Sequence, residues 1–101
     1  MAGAELRAAI KARNAVEFRY HGRHRIVHPH AIFIASTGTH CLDAVQVGGQ
    51  STSGQLPGWR RFDLNDIAAV TVRADRFEID AEFEVRAQDY RRGIVVAAVN
   101  P

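Results

Sequence analysis

Beyond residue 13 the apolar residues of this chain recur at every second position and no longer at helical spacing, in short runs separated by turn signals. Val16, Phe18 and Tyr20 fall on one face of a strand with Glu17 and Arg19 on the other, and His21-Gly22 ends the run. Parallel strands need crossover connections of about a dozen or more residues, usually helical, and the chain offers none, so it is held to antiparallel strands. The next run, Arg23 to Ala35, is rich in β-formers but carries Pro29 in its middle. Proline cannot donate to a ladder, so this strand must bend, bulge or lie at an edge there.

Further runs follow at short intervals. Ser36-Thr37-Gly38 is a turn, Thr39 to Val47 a third strand, Trp59 to Leu64 a fourth, and Ala68 to Arg73 a fifth after the break at Asn65-Asp66. Between the third and fourth, Gly48 to Gly58 concentrates Gly, Ser and Thr with Pro57 and reads as the longest loop, of a kind that often carries function. Ahead of the strands, Leu6, Ala9, Ile10 and Arg13 lie at helical spacing, which predicts a short amphipathic helix over residues 4–13 with Asn14 as a C-terminal cap. The expected architecture is α+β and mainly β, an N-terminal helix followed by a five-stranded antiparallel barrel of the SH3-like or Sm-like kind over residues 15–74. The core expected for it comprises Leu6, Ile10, Val16 or Phe18, Ile26, Ile32 or Ile34, Leu42, Val45, Phe62, Leu64 and Val70. The tail, 75–101, alternates Phe77, Ile79, Ala81, Phe83, Val85 and Ala87 with polar residues and reads as an extended segment, adding a strand or lying across the barrel. Residues Tyr90 to Val99 fit strand or helix equally. No repeat or internal boundary divides the chain, so residues 1–101 read as one domain.

Composition narrows the function classes. With 47% hydrophobic and 24% charged residues the chain is an ordinary globular one, and its longest apolar run, near Gly93 to Val99, is too short to span a bilayer. The first dozen residues lack an apolar signal core, so a cytoplasmic protein with no membrane partner is expected. A single cysteine excludes an internal disulfide and a Cys-rich zinc site. From Lys11 to Arg61 seven basic residues face two acids, Glu17 and Asp43, so an anion site belongs in the front half of the chain.

Enzyme chemistry finds little support. His28 and His30 flank Pro29 and would face one way in a strand, as a metal-binding pair does, yet no spacing supplies a third ligand. A metal-dependent enzyme using His28 and His30 is therefore the weakest reading. His40 and Cys41 are adjacent and would project to opposite faces, so they cannot act as nucleophile and base. Neither a nucleophile elbow nor a phosphate-binding glycine loop opens a helix, and Glu82 and Glu84 read as a solvated strand face. No catalytic residue, metal ligand or cofactor is assigned. What remains is a group of aromatic and cationic side chains, Tyr20, Arg23, His24, Arg25, His30, Trp59, Arg60 and Arg61, of the kind that grips phosphates and stacks bases in single-stranded nucleic acid.

Several stretches together carry a resemblance. Val16 to Tyr20, Gly22-Arg23-His24-Arg25-Ile26-Val27-His28-Pro29-His30, Val45-Gln46-Val47-Gly48-Gly49 and Gly58-Trp59-Arg60-Arg61-Phe62-Asp63-Leu64-Asn65-Asp66-Ile67 resemble the WYL domain, and most closely its short stand-alone bacterial form. The likeness runs from about Leu6 to Phe77, with Tyr90-Arg91-Arg92-Gly93 matching a tail element. It implies an Sm-like or SH3-like barrel acting as a bacterial regulatory or ligand-sensing module, with a pocket of Tyr20, Arg25, His30 and Arg60, His24 standing where a small hydroxyl residue is usual. Arg61 adds a neighbouring cation. The triplet that names the family is reduced to His40-Cys41-Leu42, and Asp63 and Asp66 stand where longer members have arginines, which weakens phosphate binding. Too few residues precede the first strand for a helix-turn-helix. The expected function is a non-enzymatic module for an anionic ligand, a nucleotide or single-stranded nucleic acid, with a small protein-interaction barrel as the alternative.

Overall fold

The computed structural model describes residues 3–50, 55–84 and 90–99 of the chain. One helix, α1 (Gly3–Ala12), precedes six strands: β1 (Asn14–Tyr20), β2 (Arg23–Ile34), β3 (His40–Gly49), β4 (Gly58–Asp63), β5 (Ile67–Arg76) and β6 (Ile94–Ala97). The helix places Glu5 in its first turn and Lys11 in its last, matching the helix dipole, and buries Leu6, Ala9 and Ile10. Each buried Leu or Ile contributes roughly 1.5–3 kcal/mol. Arg13, not Asn14, ends the helix, taking a left-handed φ of 59°. Asn14 opens β1 instead, and its side-chain amide donates to the Arg73 carbonyl in β5.

The strands form one antiparallel sheet in the order β4-β3-β2-β1-β5, with β6 added to β2. A 3-10 turn over Leu64–Asp66 links β4 to β5, the Asn65 amide capped by the Asp63 carboxylate. Among the described residues β4 and β5 do not pair, so the sheet curls without closing and the expected closed five-stranded barrel is corrected to an open sheet with a sixth strand.

β2 is the spine. Its first half pairs with β1 from Arg23 to Val27, its second half with β6 from Ala31 to Phe33, and β3 runs along its other edge. The change of partner falls at Pro29, where the β2–β3 register also shifts between Pro29 and Ala31. The proline's missing donor and the bulge coincide, as the sequence demanded.

The bulge exchanges the two faces of β2. Val27 and, beyond the bulge, Ile32 point into the main core, which holds Leu6, Ile10, Val16, Phe18, Leu42, Phe62 and Ile67. Ile26 is only half buried, lying over Gly48. Leu64 and Val70 are partly buried against the same core. On the opposite face a smaller cluster of Ala31, Phe33, Cys41 and Tyr90 is covered by the tail. The tail's alternation did not produce a strand over 77–84; Phe77 and Phe83 instead pack against His30. The alternating residues Val85 and Ala87 lie outside the described residues, as do 51–54 of the long loop. No helix among the described residues is long and apolar enough to cross a membrane.

Candidate anion site

Period two divides the predicted site residues between the two faces of the sheet. Arg25, opposite Phe18 in the β1–β2 register, faces the main core side with Tyr20, Gln46 and Phe62. Its neighbour His24 points the other way. There it meets Glu17 at 2.9 Å, and Glu17 also accepts from Arg73, so His24 belongs to a cross-strand charge ladder.

Arg25 is 6% exposed. Its Nη1 donates to Gln46 Oε1 and its Nη2 to the Tyr20 carbonyl, both at 3.4 Å and so at the long limit of a hydrogen bond, while Nε is buried with no acceptor. The guanidinium carbon lies 5.6 Å from the Tyr20 ring centroid and 5.8 Å from that of Phe62. No carboxylate pairs with it among the described residues. Burial first, then the charges of Arg23 and Arg60 with Tyr20 opposing, hold its pKa below the ordinary arginine value.

Gln46 is fixed behind it. The amide nitrogen donates to the carbonyls of Gly48 (3.0 Å) and Gln50 (2.9 Å), which turns the amide oxygen toward Arg25. Gln46 pairs across the sheet with Gly58, and a Cβ on Gly58 would stand 2.6 Å from Arg60 Nη1, so the glycine makes room for that guanidinium. Arg60 is anchored by the carbonyls of Trp59 and Gln55, both at 2.9 Å. Arg25 and Arg60 thus share one face, with β3 between their strands instead of the direct strand-to-strand contact that two cooperating arginines suggest. Tyr20 meets Arg25 through its ring, while its hydroxyl accepts from the Asp63 amide at 3.0 Å and ties β1 to the end of β4.

His30 and Arg61 lie elsewhere. His30 is fully buried on the opposite face among Trp59, Phe77 and Phe83. Its Nδ1 donates to the His28 carbonyl (2.8 Å) and its Nε2 accepts from the Asp80 amide (3.0 Å). The ring is therefore neutral with both nitrogens used, and burial holds its pKa below 6.5. The pocket expected from Tyr20, Arg25, His30 and Arg60 is corrected by this geometry: His30 latches the tail to β2 and does not face Arg25. A metal shared with His28 would need a nitrogen that His30 has already committed, and among the described residues no three ligating side chains converge. His28 stacks on Phe77 at 4.9 Å.

Arg61 bonds Asp43 in bidentate fashion, at 2.8 and 3.0 Å, and its guanidinium lies 4.7 Å from the Phe33 ring centroid. Cys41 is buried beside them, and burial pushes its thiol pKa up, as expected of an inert structural thiol. Asp63 and Asp66, the acids expected to repel phosphate, both have local partners: Asp63 caps the 3-10 turn and Asp66 meets His21 at 2.9 Å. Gln46 escaped the sequence reading because nothing in a lone glutamine signals function. Its parity with Leu42 and Ala44, which face the main core, was the available clue.

No protein-family model matches the chain, and comparison with curated proteins and with solved structures yields no match. The case for function therefore rests on the geometry.

Proposed function

We propose that this protein is a non-enzymatic, WYL-like regulatory module that binds an anionic ligand, a nucleotide or the phosphate of a single-stranded nucleic acid, at Arg25 and Arg60 beside Tyr20. The observation that carries it is Arg25. A buried guanidinium with no carboxylate and an unpartnered Nε costs the free protein several kcal/mol in the idealised case, a cost an incoming oxyanion offsets with short charge-assisted bonds. Gln46 adds a fixed amide and Tyr20 and Phe62 an aromatic wall, the combination that recognises a phosphate attached to a base. An Sm-like or SH3-like ancestry is supported by the strand order β4-β3-β2-β1-β5, the helix in front and the 3-10 turn between β4 and β5.

One observation favours the second reading, a protein-interaction module. The outer edge of β5 carries no strand among the described residues, and Val72 on it is 44% exposed. A thermal-shift series separates the two. Inorganic phosphate, nucleoside monophosphates and short oligothymidylates should raise the melting temperature by mass action, less so as sodium chloride rises, and Arg25→Met should abolish the shift. Melting temperatures unmoved by every anion would leave the protein-interaction reading in place.

A further inference from the structure

The start of α1, the turn joining β2 to β3, the 3-10 turn and β6 together line a pocket of about 620 Å3, within the ordinary range for small-molecule sites of roughly 300–1,000 Å3. Ile32, Leu64 and Val95 supply its apolar wall, and Val95 is left 42% exposed there. The rest of the lining is polar and rich in donors. Arg7, His40 and Asn65 border the pocket, and none of the three side chains makes a hydrogen bond or ion pair among the described residues. The Thr37 and Thr39 hydroxyls, also on the lining, bond each other at 3.0 Å, which uses one of their two hydrogens and leaves the other to donate.

The charge on these walls has one sign. Arg7 is the only arginine, lysine or acidic side chain on the lining. Glu5 stands two positions from Arg7 and so on another face of α1, whereas Lys11 follows Arg7 one turn on. Asp63 and Asp66, the acids near Asn65 in the chain, are turned to the Asn65 backbone amide and to His21. Free donors and one guanidinium beside an apolar wall suit a ligand that is acidic at one end and hydrocarbon at the other.

We infer that this pocket binds a monocarboxylate with an apolar body, its carboxylate on Arg7 with His40, Asn65 and the spare threonine hydroxyl as further donors, and its hydrocarbon against Ile32, Leu64 and Val95. A guanidinium fork matches the two oxygens of one carboxylate, and one cation balances its single charge, whereas a phosphate dianion would be left half neutralised. The site does not rest on the reading of Arg25. Ile32 lies seven residues beyond Arg25 on β2, roughly 20 Å at a strand rise of about 3.3 Å per residue, so the two pockets are separate.

Sodium octanoate is titrated into 15N-labelled protein at constant pH and ionic strength, below its micelle-forming concentration. Octanamide, which has the chain without the charge, and acetate, which has the charge without the chain, are titrated beside it. Octanoate should move the amide resonances of Thr39, His40 and Asn65 saturably, and each control should bind at least about tenfold more weakly, since each lacks one half of the contact. Arg7→Gln, at an exposed position of α1, should weaken octanoate about tenfold or more with the melting temperature unchanged. Val95→Thr should weaken octanoate and leave acetate as it was. Arg25→Met should leave octanoate binding intact while removing phosphate binding, which keeps the failure of one site distinct from the failure of the other. Equal binding of octanoate and either control, the absence of saturation, unchanged octanoate binding in Arg7→Gln, or resonance shifts gathered around Arg25 would each overturn the assignment.

Discussion

Replacing Arg25 with methionine should leave the ligand-free protein as stable as before or more stable, the reverse of what substitution at a buried position usually does. Arg25 is 6% exposed and its Nε has no acceptor, a deficit of about 1–3 kcal/mol for one buried donor. Against it stand two ring contacts, at 5.6 and 5.8 Å, each contributing about 0.5–1 kcal/mol, and two bonds at 3.4 Å that contribute little. Methionine keeps the unbranched apolar stem, so the site escapes the cavity cost of about 2–5 kcal/mol that truncation to alanine brings. These terms differ by about −1 to +2 kcal/mol, and removing a buried charge that lacks a counterion tips the balance toward a net gain of up to about 2 kcal/mol. In a chain of this length 1 kcal/mol moves the melting temperature by about 4–8 °C. Urea denaturation at low salt without phosphate measures the change, and repetition with phosphate should reverse the order, since only the native protein gains by binding. Destabilisation of Arg25→Met by more than about 2 kcal/mol at an unchanged denaturant slope would show that Arg25 is already compensated in the free protein, and the argument for an anion there would fall.

Gly49→Ala should destabilise by about 2–4 kcal/mol in the same denaturation assay, because Gly49 has a φ of +83° and an added Cβ would meet the His24 carbonyl at 2.3 Å and Arg25 Cα at 2.9 Å. Asp43→Ala should cost about 2–4 kcal/mol, since it strips three bonds from Arg61 and Tyr90 at once, and circular dichroism melts would show it. His28 and His30 both have pKa values lowered by burial, so below about pH 6.5 the unfolded chain binds protons that the folded one refuses. Stability should hold above that pH and decline below it, by at most about 1.4 kcal/mol per pH unit per histidine; an NMR titration finding His30 protonated at or above pH 6.5 would contradict this.

What the sequence made legible, and what it did not, turns on Pro29. The helix, the first five strands and the antiparallel order follow from local patterns that tertiary packing left alone, with runs ending in turn residues at His21-Gly22, Ser36-Thr37-Gly38 and Asn65-Asp66. The proline announced a bulge. Its consequence is harder to read locally, since a bulge at residue 29 exchanges the faces of everything beyond it: Val27 with Ile32, and not Ile26 with Ile32, shares the main core. β6 was undecidable for a related reason. Ile94 to Ala97 has no preference of its own and becomes a strand because β2, past the bulge, has lost β1 as a neighbour and offers a bare edge.

The same geometry dismantles half of the expected pocket. Residues one apart in a strand face opposite ways, so alternation alone sets His24 and Arg25 on opposite sides of the sheet. His30 is different, because an intervening bulge makes parity unreliable. Its side is settled by Trp59, Phe77 and Phe83, residues distant in sequence that close around it once the tail folds back. That placement has a functional corollary. Affinity for an anion at Arg25 should not tighten through His30 as pH falls, because a proton on Nε2 would break its bond to the Asp80 amide and free the tail before any charge could reach the ligand.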